Sequence, residues 1–314
     1  MTSSESCIVE QDFSSYLVRN DIVYYNYIPN MKIRLTLILL LLTVTVSFTK
    51  AQQLNIGTYN LRYSNQGDST AGNGWGQRFP WAAKLIQFQD LDIFGTQEAK
   101  YHQLTELTDS LPGYKWIGAG RDDGKHGGEH SAIFYKADRF KLLKTGDFWM
   151  STITDKPNKG WDAALPRICT WAQFREVKTG FTFYFFNLHM DHIGVVARHE
   201  SAKLVVQKIK QMAGNAPTIL TGDFNVDQTS DSYAVINNSG LLKDSYMLSP
   251  VKLAPSNTFN EFNANTAGDK RIDHIFVTKQ FKVKRYGILT NTYHGRTPSD
   301  HYPVVAIMDY RATK

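Results

Sequence analysis

From Leu54 onward, short apolar runs alternate with polar stretches rich in Gly, Asn, Asp and Ser. Ten runs carry the β-branched and aromatic character of strands: Leu54–Leu61, Asp92–Thr96, Ser131–Lys136, Phe140–Trp149, Ile168–Glu176, Phe181–Leu188, Pro217–Leu220, Ile272–Thr278, Phe281–Leu289 and Tyr302–Met308. Phe181–Leu188 is almost wholly apolar, which predicts burial on both faces. Helical spacing is clearest in Val195–Ala213, where Ala202, Val205, Ile209 and Met212 recur on one face. Phe79–Phe88, Tyr101–Leu107 and Asp231–Asn238 are the other expected helices. Many strands joined mostly by hairpins, with few helices needing a sheet to cover, predict an α/β fold of stacked sheets flanked by helices.

The chain upstream of Leu54 reads differently. Met31-Lys32-Ile33-Arg34 leads into the apolar run Leu35–Phe48, and Ala51 follows shortly after. Two cations, a short apolar run and a small residue make a signal peptide. The run is shorter than the roughly 20 residues a spanning helix needs, and no Cys follows it, so neither a stable membrane anchor nor lipid attachment is expected. Residues 31–51 are thus read as a signal peptide cleaved near Ala51, and 52–314 as one exported domain, periplasmic or secreted. Residues 1–30 precede a second Met without periodicity; they read as a mis-assigned extension, against the alternative of a cytoplasmic tail.

Composition narrows the class. With 42% hydrophobic and 20% charged residues, the chain is neither disordered nor collagen-like nor a polytopic membrane protein. A net charge of +6 suits a phosphate-bearing substrate without demanding one. Past Ala51 only Cys169 remains, so there is no disulfide framework, and its apolar strand makes a packed, inert thiol the plainer reading.

No P-loop, dinucleotide-binding glycine pattern, nucleophile elbow or His-Glu-x-x-His helix occurs. Instead, acids, amides and imidazoles stand where apolar runs begin or end: Thr58-Tyr59-Asn60, Gln97-Glu98, Asn187-Leu188-His189, Asp223-Phe224-Asn225, Arg271-Ile272-Asp273 and Ser299-Asp300-His301. Sheets gather such ends at one rim. Glu98, Asp223, Asn225 and Asp300 are hard oxygen ligands suited to Mg2+ or Mn2+. Asp273 and His301 could pair as a water-activating base, and Asn60, His189 and Arg167 could donate hydrogen bonds to phosphoryl oxygens. Taken singly, each has a blander reading: Asp223 a helix cap, Asp300-His301 a solvated turn, His192 and His274 structural, Trp75, Trp81 and Trp161 packing. His189-x-Asp191-His192 has the look of a zinc site, but a strand end does not by itself aim three side chains at one ion.

Together, and in this order, the six segments resemble the endonuclease/exonuclease/phosphatase superfamily, the DNase I-like fold, over residues 52–312. Gly118-x-Gly120-Arg121-Asp122-Asp123-Gly124, Gly128-Glu129-His130 and His189-Met190-Asp191-His192 resemble an exported bacterial branch similar to the carbon-catabolite-repression-type deadenylases. The resemblance implies a four-layer α/β/β/α sandwich and a metal-dependent phosphoric ester hydrolase acting as a monomer. It implies Glu98 as principal metal ligand, with Asp300, Asn60, Asp223 and Asn225 completing the shell and orienting water or phosphate. Asp273 and His301 take the place of the paired base, His189 that of the transition-state donor, and Arg167 that of the phosphate-contacting arginine. The family's catalytic tyrosine has no clear counterpart, which leaves the leaving-group proton donor unassigned.

The expected activity is hydrolysis of phosphoesters, with nuclease or general phosphodiesterase slightly favoured. Arg121, Lys125 and His126 could form part of a basic groove, or equally a solvated loop. The alternatives are a phosphatase or phosphodiesterase on a small sugar- or lipid-phosphate, and a catalytically dead binding module; a cytoplasmic deadenylase conflicts with the signal peptide.

Overall fold

A computed structural model describes residues 52–310; the expectations for 1–30 and 31–51 lie outside the described residues. The first sheet holds seven strands: β1 (Gln52–Asn60), β2 (Ile93–Gln97), β3 (Tyr114–Ile117), β4 (Ile133–Lys136), β10 (Val251–Leu253), β12 (Phe281–Ile288) and β13 (Val304–Tyr310), in the order β10-β12-β13-β1-β2-β4-β3. The second holds six: β5 (Phe140–Trp149), β6 (Ile168–Glu176), β7 (Thr182–His189), β8 (Thr218–Asp223), β9 (Lys243–Asp244) and β11 (Asp273–Val277), in the order β5-β6-β7-β8-β11-β9. The helices are α1 (Gln66–Thr70), α2 (Trp75–Phe88), α3 (Tyr101–Ser110), α4 (Val195–Ala213), α5 (Asp231–Asn237) and α6 (Ser245–Leu248).

Three apolar clusters define four layers. Leu54, Ile56 and Ile93 of the first sheet meet Phe174, Phe183, Phe185 and Ile219 of the second between the sheets. Ala82, Ile86, Leu104 and Leu107 of α2 and α3 cover Phe94 and Phe134 on the outer face of the first sheet. Ala202, Val205 and Ile209 of α4 cover Phe186 and Leu220 on the outer face of the second. Burial on both faces explains why β7 reads as a continuous apolar run. This is the expected α/β/β/α sandwich. The elements not foreseen are short: β3, β9, β10, α1 and α6 carry too few residues to show a period.

One polar bridge crosses the inter-sheet core near the rim. The Asn187 amide of β7 donates to the carbonyls of Thr96 and Ala132 at 2.9 Å each, and its Oδ1 accepts from Gln97 at 2.7 Å and Thr221 at 3.0 Å. Gly95 makes room for it: a Cβ there would meet Asn187 Oδ1 at 2.1 Å. The sheets are therefore fixed in relative position by directional bonds close to the place where their polar strand ends meet.

Candidate active site

Parallel pairing of β1 with β2 and of β7 with β8 puts four C-terminal ends on one rim: Asn60 lies opposite Gln97, and His189 opposite Asp223. Antiparallel β11 starts there, with Asp273 opposite Asp223, and the turn before β13 adds Asp300 and His301. Glu98 and Asn225 hold left-handed backbone at φ of +66° and +51°, a conformation that costs energy in non-glycine residues and is found concentrated at functional sites. The rim opens into a cavity of about 570 Å3 lined by Glu98, Asp223, Asn225, Asp300, His189, His301 and Arg167, among others.

Asn60 sits at the centre of the acids. Its Nδ2 donates to Glu98 Oε1 at 3.0 Å and to Asp223 Oδ2 at 2.9 Å, while its Oδ1 accepts from the Arg62 amide at 3.0 Å. Single ligand atoms of Glu98, Asp223 and His301 lie within 4.8 Å of one another. Asp300 lines the same cavity, 3.5 Å from Arg62 Nη1. Burial and the neighbouring Asp273 push Asp223 up to about 7, and burial likewise raises Asp300, with Glu98 adding to it. Hard oxygen donors crowded without enough positive charge are the donor set a divalent cation fits.

His301 Nδ1 lies 2.8 Å from Asp273 Oδ2, and its Nε2 points to Asp223 Oδ2 at 3.7 Å. Burial opposes a charge on this ring, but Asp273 and Asp223 outweigh it and hold the imidazole well above its usual range. His189 goes the other way: burial, then Arg167 and Arg121, push it well below the usual range, so it is neutral. Its Nε2 is 3.1 Å from Asn225 Nδ2.

Arg167 is 4% exposed. Its Nε donates to Asp191 at 3.2 Å and its Nη2 lies 2.8 Å from His192 Nδ1, whereas Nη1 is buried without a partner. A buried guanidinium N–H without a partner, on a residue that lines the cavity, is costly unless an anion or water reaches it. Asp191 faces Arg167 and the turn amides, so His189, Asp191 and His192 do not converge on an ion.

Of the residues singled out from sequence, Glu98, Arg167, His189, Asp223, Asn225, Asp300 and His301 line this cavity, while Asn60 and Asp273 are buried behind it, the first bonded to Glu98 and Asp223 and the second to His301. Sequence reasoning missed Arg62, Tyr63, Lys100 and Glu129, which also line it. Arg121 was expected in a basic groove or a solvated loop; it is buried and forms a bidentate pair with Glu129, at 2.5 Å and 3.0 Å. Lys125 and His126 are exposed. Glu129 is pushed up to about 7 by burial, with Arg121 opposing. The glycines flanking these two residues were the available signal. Cys169 is buried, and burial raises its thiol, as a packed Cys requires.

The sequence profile of the Endonuclease/Exonuclease/phosphatase family matches residues 57–301. The chain belongs to this family. It is therefore a phosphoric ester hydrolase by descent, in a family of endonucleases, exonucleases and phosphatases. A mannosyl-6-phosphatase of Bacteroides thetaiotaomicron is 54% identical, with a TM-score of 0.80 over 81% of this chain and 99% of that one. A further family protein from the same species is 52% identical, with a TM-score of 0.82 over 84% of this chain and 100% of that one. The catalytic domain of human Nocturnin, solved with a sulfate, shares the fold at 19% identity, with a TM-score of 0.64 over 82% and 93% of the two chains.

Proposed function

We propose that this protein is an exported, Mg2+- or Mn2+-dependent phosphatase that removes the phosphate of a sugar phosphate, of the kind its 54% identical relative is named for. The observation that supports this most is the make-up of the cavity. It is compact, about 570 Å3, and besides the rim acids its wall carries Asp122 and Glu129. These carboxylates can accept hydrogen bonds from the hydroxyls of a sugar. The phosphodiesterase or nuclease reading rests on the breadth of the family and on distant likenesses of fold such as that to Nocturnin.

Glu98, Asp223, Asp300 and Asn60 would hold the divalent ion, which when bound supplies countercharge to these acids and polarises the phosphoryl group. Arg167, through Nη1, and the neutral His189 bind phosphoryl oxygens where negative charge builds up. Asn225 orients that group; its side chain is fixed by Met190 O at 3.0 Å. Asp273 holds the His301 ring through Nδ1; where a cation held by Asp223 offsets the negative charge that keeps the ring protonated, Nε2 is free to take the proton of the attacking water.

Purified protein from residue 52 onward should hydrolyse mannose 6-phosphate faster than bis-p-nitrophenyl phosphate or single-stranded DNA. EDTA should stop turnover, and Mg2+ or Mn2+ should restore it. Preferred, salt-sensitive cleavage of DNA would overturn the sugar-phosphate reading. N-terminal sequencing of secreted material starting near Gln52 would test export.

A further inference from the structure

We propose that the Arg121–Glu129 pair is the subsite for the hydroxyls of the leaving sugar, and so the determinant of selectivity among phosphate esters; this rests on the sugar-phosphatase reading above.

The pair stands in the cavity next to the phosphate donors. Glu129 Oε2 accepts from Arg121 Nη1 at 2.5 Å and lies 3.8 Å from His189 Nδ1, and Oε1 accepts from Nη2 at 3.0 Å. Binding phosphate does not explain it. Bidentate pairing with Glu129 takes up two of the guanidinium's N–H groups and cancels its charge, so Arg121 is not held ready for an anion. A group that donates hydrogen bonds does explain it. Each Glu129 oxygen keeps a lone pair beyond its bond to Arg121. Paired acceptors of this kind match the hydroxyls of a sugar ring, which donate to them.

The loop from Gly118 to His130 is built to hold the pair in place. Gly120 donates to Lys125 O at 2.9 Å, Asp122 to Gly127 O at 3.1 Å, and Arg121 to Glu129 O at 3.0 Å. Trp149 Nε1 of β5 fastens the Arg121 carbonyl at 2.8 Å. A Cβ at Gly120 would strike Gly127 O at 2.2 Å, and Gly128 runs at a φ of +80°. A loop serving only as solvated connection would need none of this closeness.

The test compares kcat/KM for mannose 6-phosphate and p-nitrophenyl phosphate, which lacks sugar hydroxyls, in the native protein and in Glu129→Gln. The loss on mannose 6-phosphate should exceed that on p-nitrophenyl phosphate by about tenfold or more, carried mainly by KM. The native protein assayed with the 2-, 3- and 4-deoxy analogues should lose about tenfold or more on at least one of them, and Glu129→Gln should lose less on that same analogue. Equal losses on both esters, with all deoxy analogues hydrolysed like the parent, would overturn the subsite while leaving the phosphatase reading intact. A native protein inactive on every sugar phosphate would overturn both. The deoxy series needs no variant, so it can overturn the subsite even where Glu129→Gln does not fold.

Discussion

Asp191 and Asp223 both lie where parallel β7 and β8 end, and both are about 1% exposed, yet their surroundings are opposite. Asp191 accepts from the amides of Ile193 at 3.0 Å, Gly194 at 2.7 Å and Leu165 at 3.3 Å, and from Arg167 Nε at 3.2 Å. Burial works against its charge, but these amides and the guanidinium hold it well below the usual carboxylate range. Asp223 accepts from Asn225 N and Asn60 Nδ2 at 2.9 Å each; burial, with Asp273 adjacent, pushes it up to about 7. The first carboxylate is fully used by the fold. The second keeps unmet negative charge, and that charge faces the cavity.

Activity should break the contrast most sharply. His301→Ala is expected to lower kcat by about 10^3-fold, as removal of a positioned base does. Glu98→Gln should cost at least as much, and should also abolish the rise in melting temperature that Mn2+ gives the native protein. That rise corresponds to about 2.7 kcal/mol at 100 times Kd. Asp191→Asn reaches the cavity through the orientation of Arg167, so turnover should fall less, by about tenfold, mostly in KM. A kcat in Asp191→Asn as low as in His301→Ala would erase the distinction between the two carboxylates.

Stability should show opposite signs. Asp191→Asn leaves Arg167 short of its buried partner and is expected to destabilise by about 3 kcal/mol, read by urea denaturation. Asp223→Asn removes a crowded charge, and in chelator at neutral pH it should raise the melting temperature. The acid limb sharpens this. The pKa of Asp191 is depressed in the fold, so its contribution is complete above the unfolded value of 3.8 and is lost as pH falls through the lower folded value. The gap between native protein and Asp191→Asn should therefore hold at neutral pH and close as the solution is acidified below 3.8. A gap independent of pH would mean that packing, not charge, anchors this turn.

The same contrast shows what could be read from the chain. Asn60, Glu98, Asp223, Asp273 and His301 were legible because each follows or precedes an apolar run, and such ends gather at one rim where parallel strands finish and their antiparallel neighbours start. Val195–Ala213 was legible to the residue because its apolar positions recur at helical spacing along a 19-residue run. What escaped depends on long-range contact. Asn187 stood in the motif as one more polar strand end, but it points between the sheets and bridges them. Helix α1 has no buried residue and rests on Asn65, whose side chain caps Asp68 N. Arg121 and Glu129 lie among Gly, Asp, Lys and His, which looks like solvated loop. Their burial comes from Trp149 of the other sheet and from the close approach of Gly120 to Gly127, which no local periodicity encodes.

That loop also supplies the smallest expected effect. Gly128 combines positive φ with a Cβ position 2.4 Å from Asp122 Oδ2. Asp122 is exposed, and the carboxylate is the far end of a flexible side chain, so it can swing away at little cost. What remains in Gly128→Ala is the left-handed backbone, about 1 kcal/mol. A loss of that size in urea denaturation, with kcat/KM on p-nitrophenyl phosphate changed by less than that on mannose 6-phosphate, would show that the loop feels the strain through Arg121 and Glu129. A loss of about 3 kcal/mol or more would instead mean that Gly128 helps hold the rim, as Asp191 does.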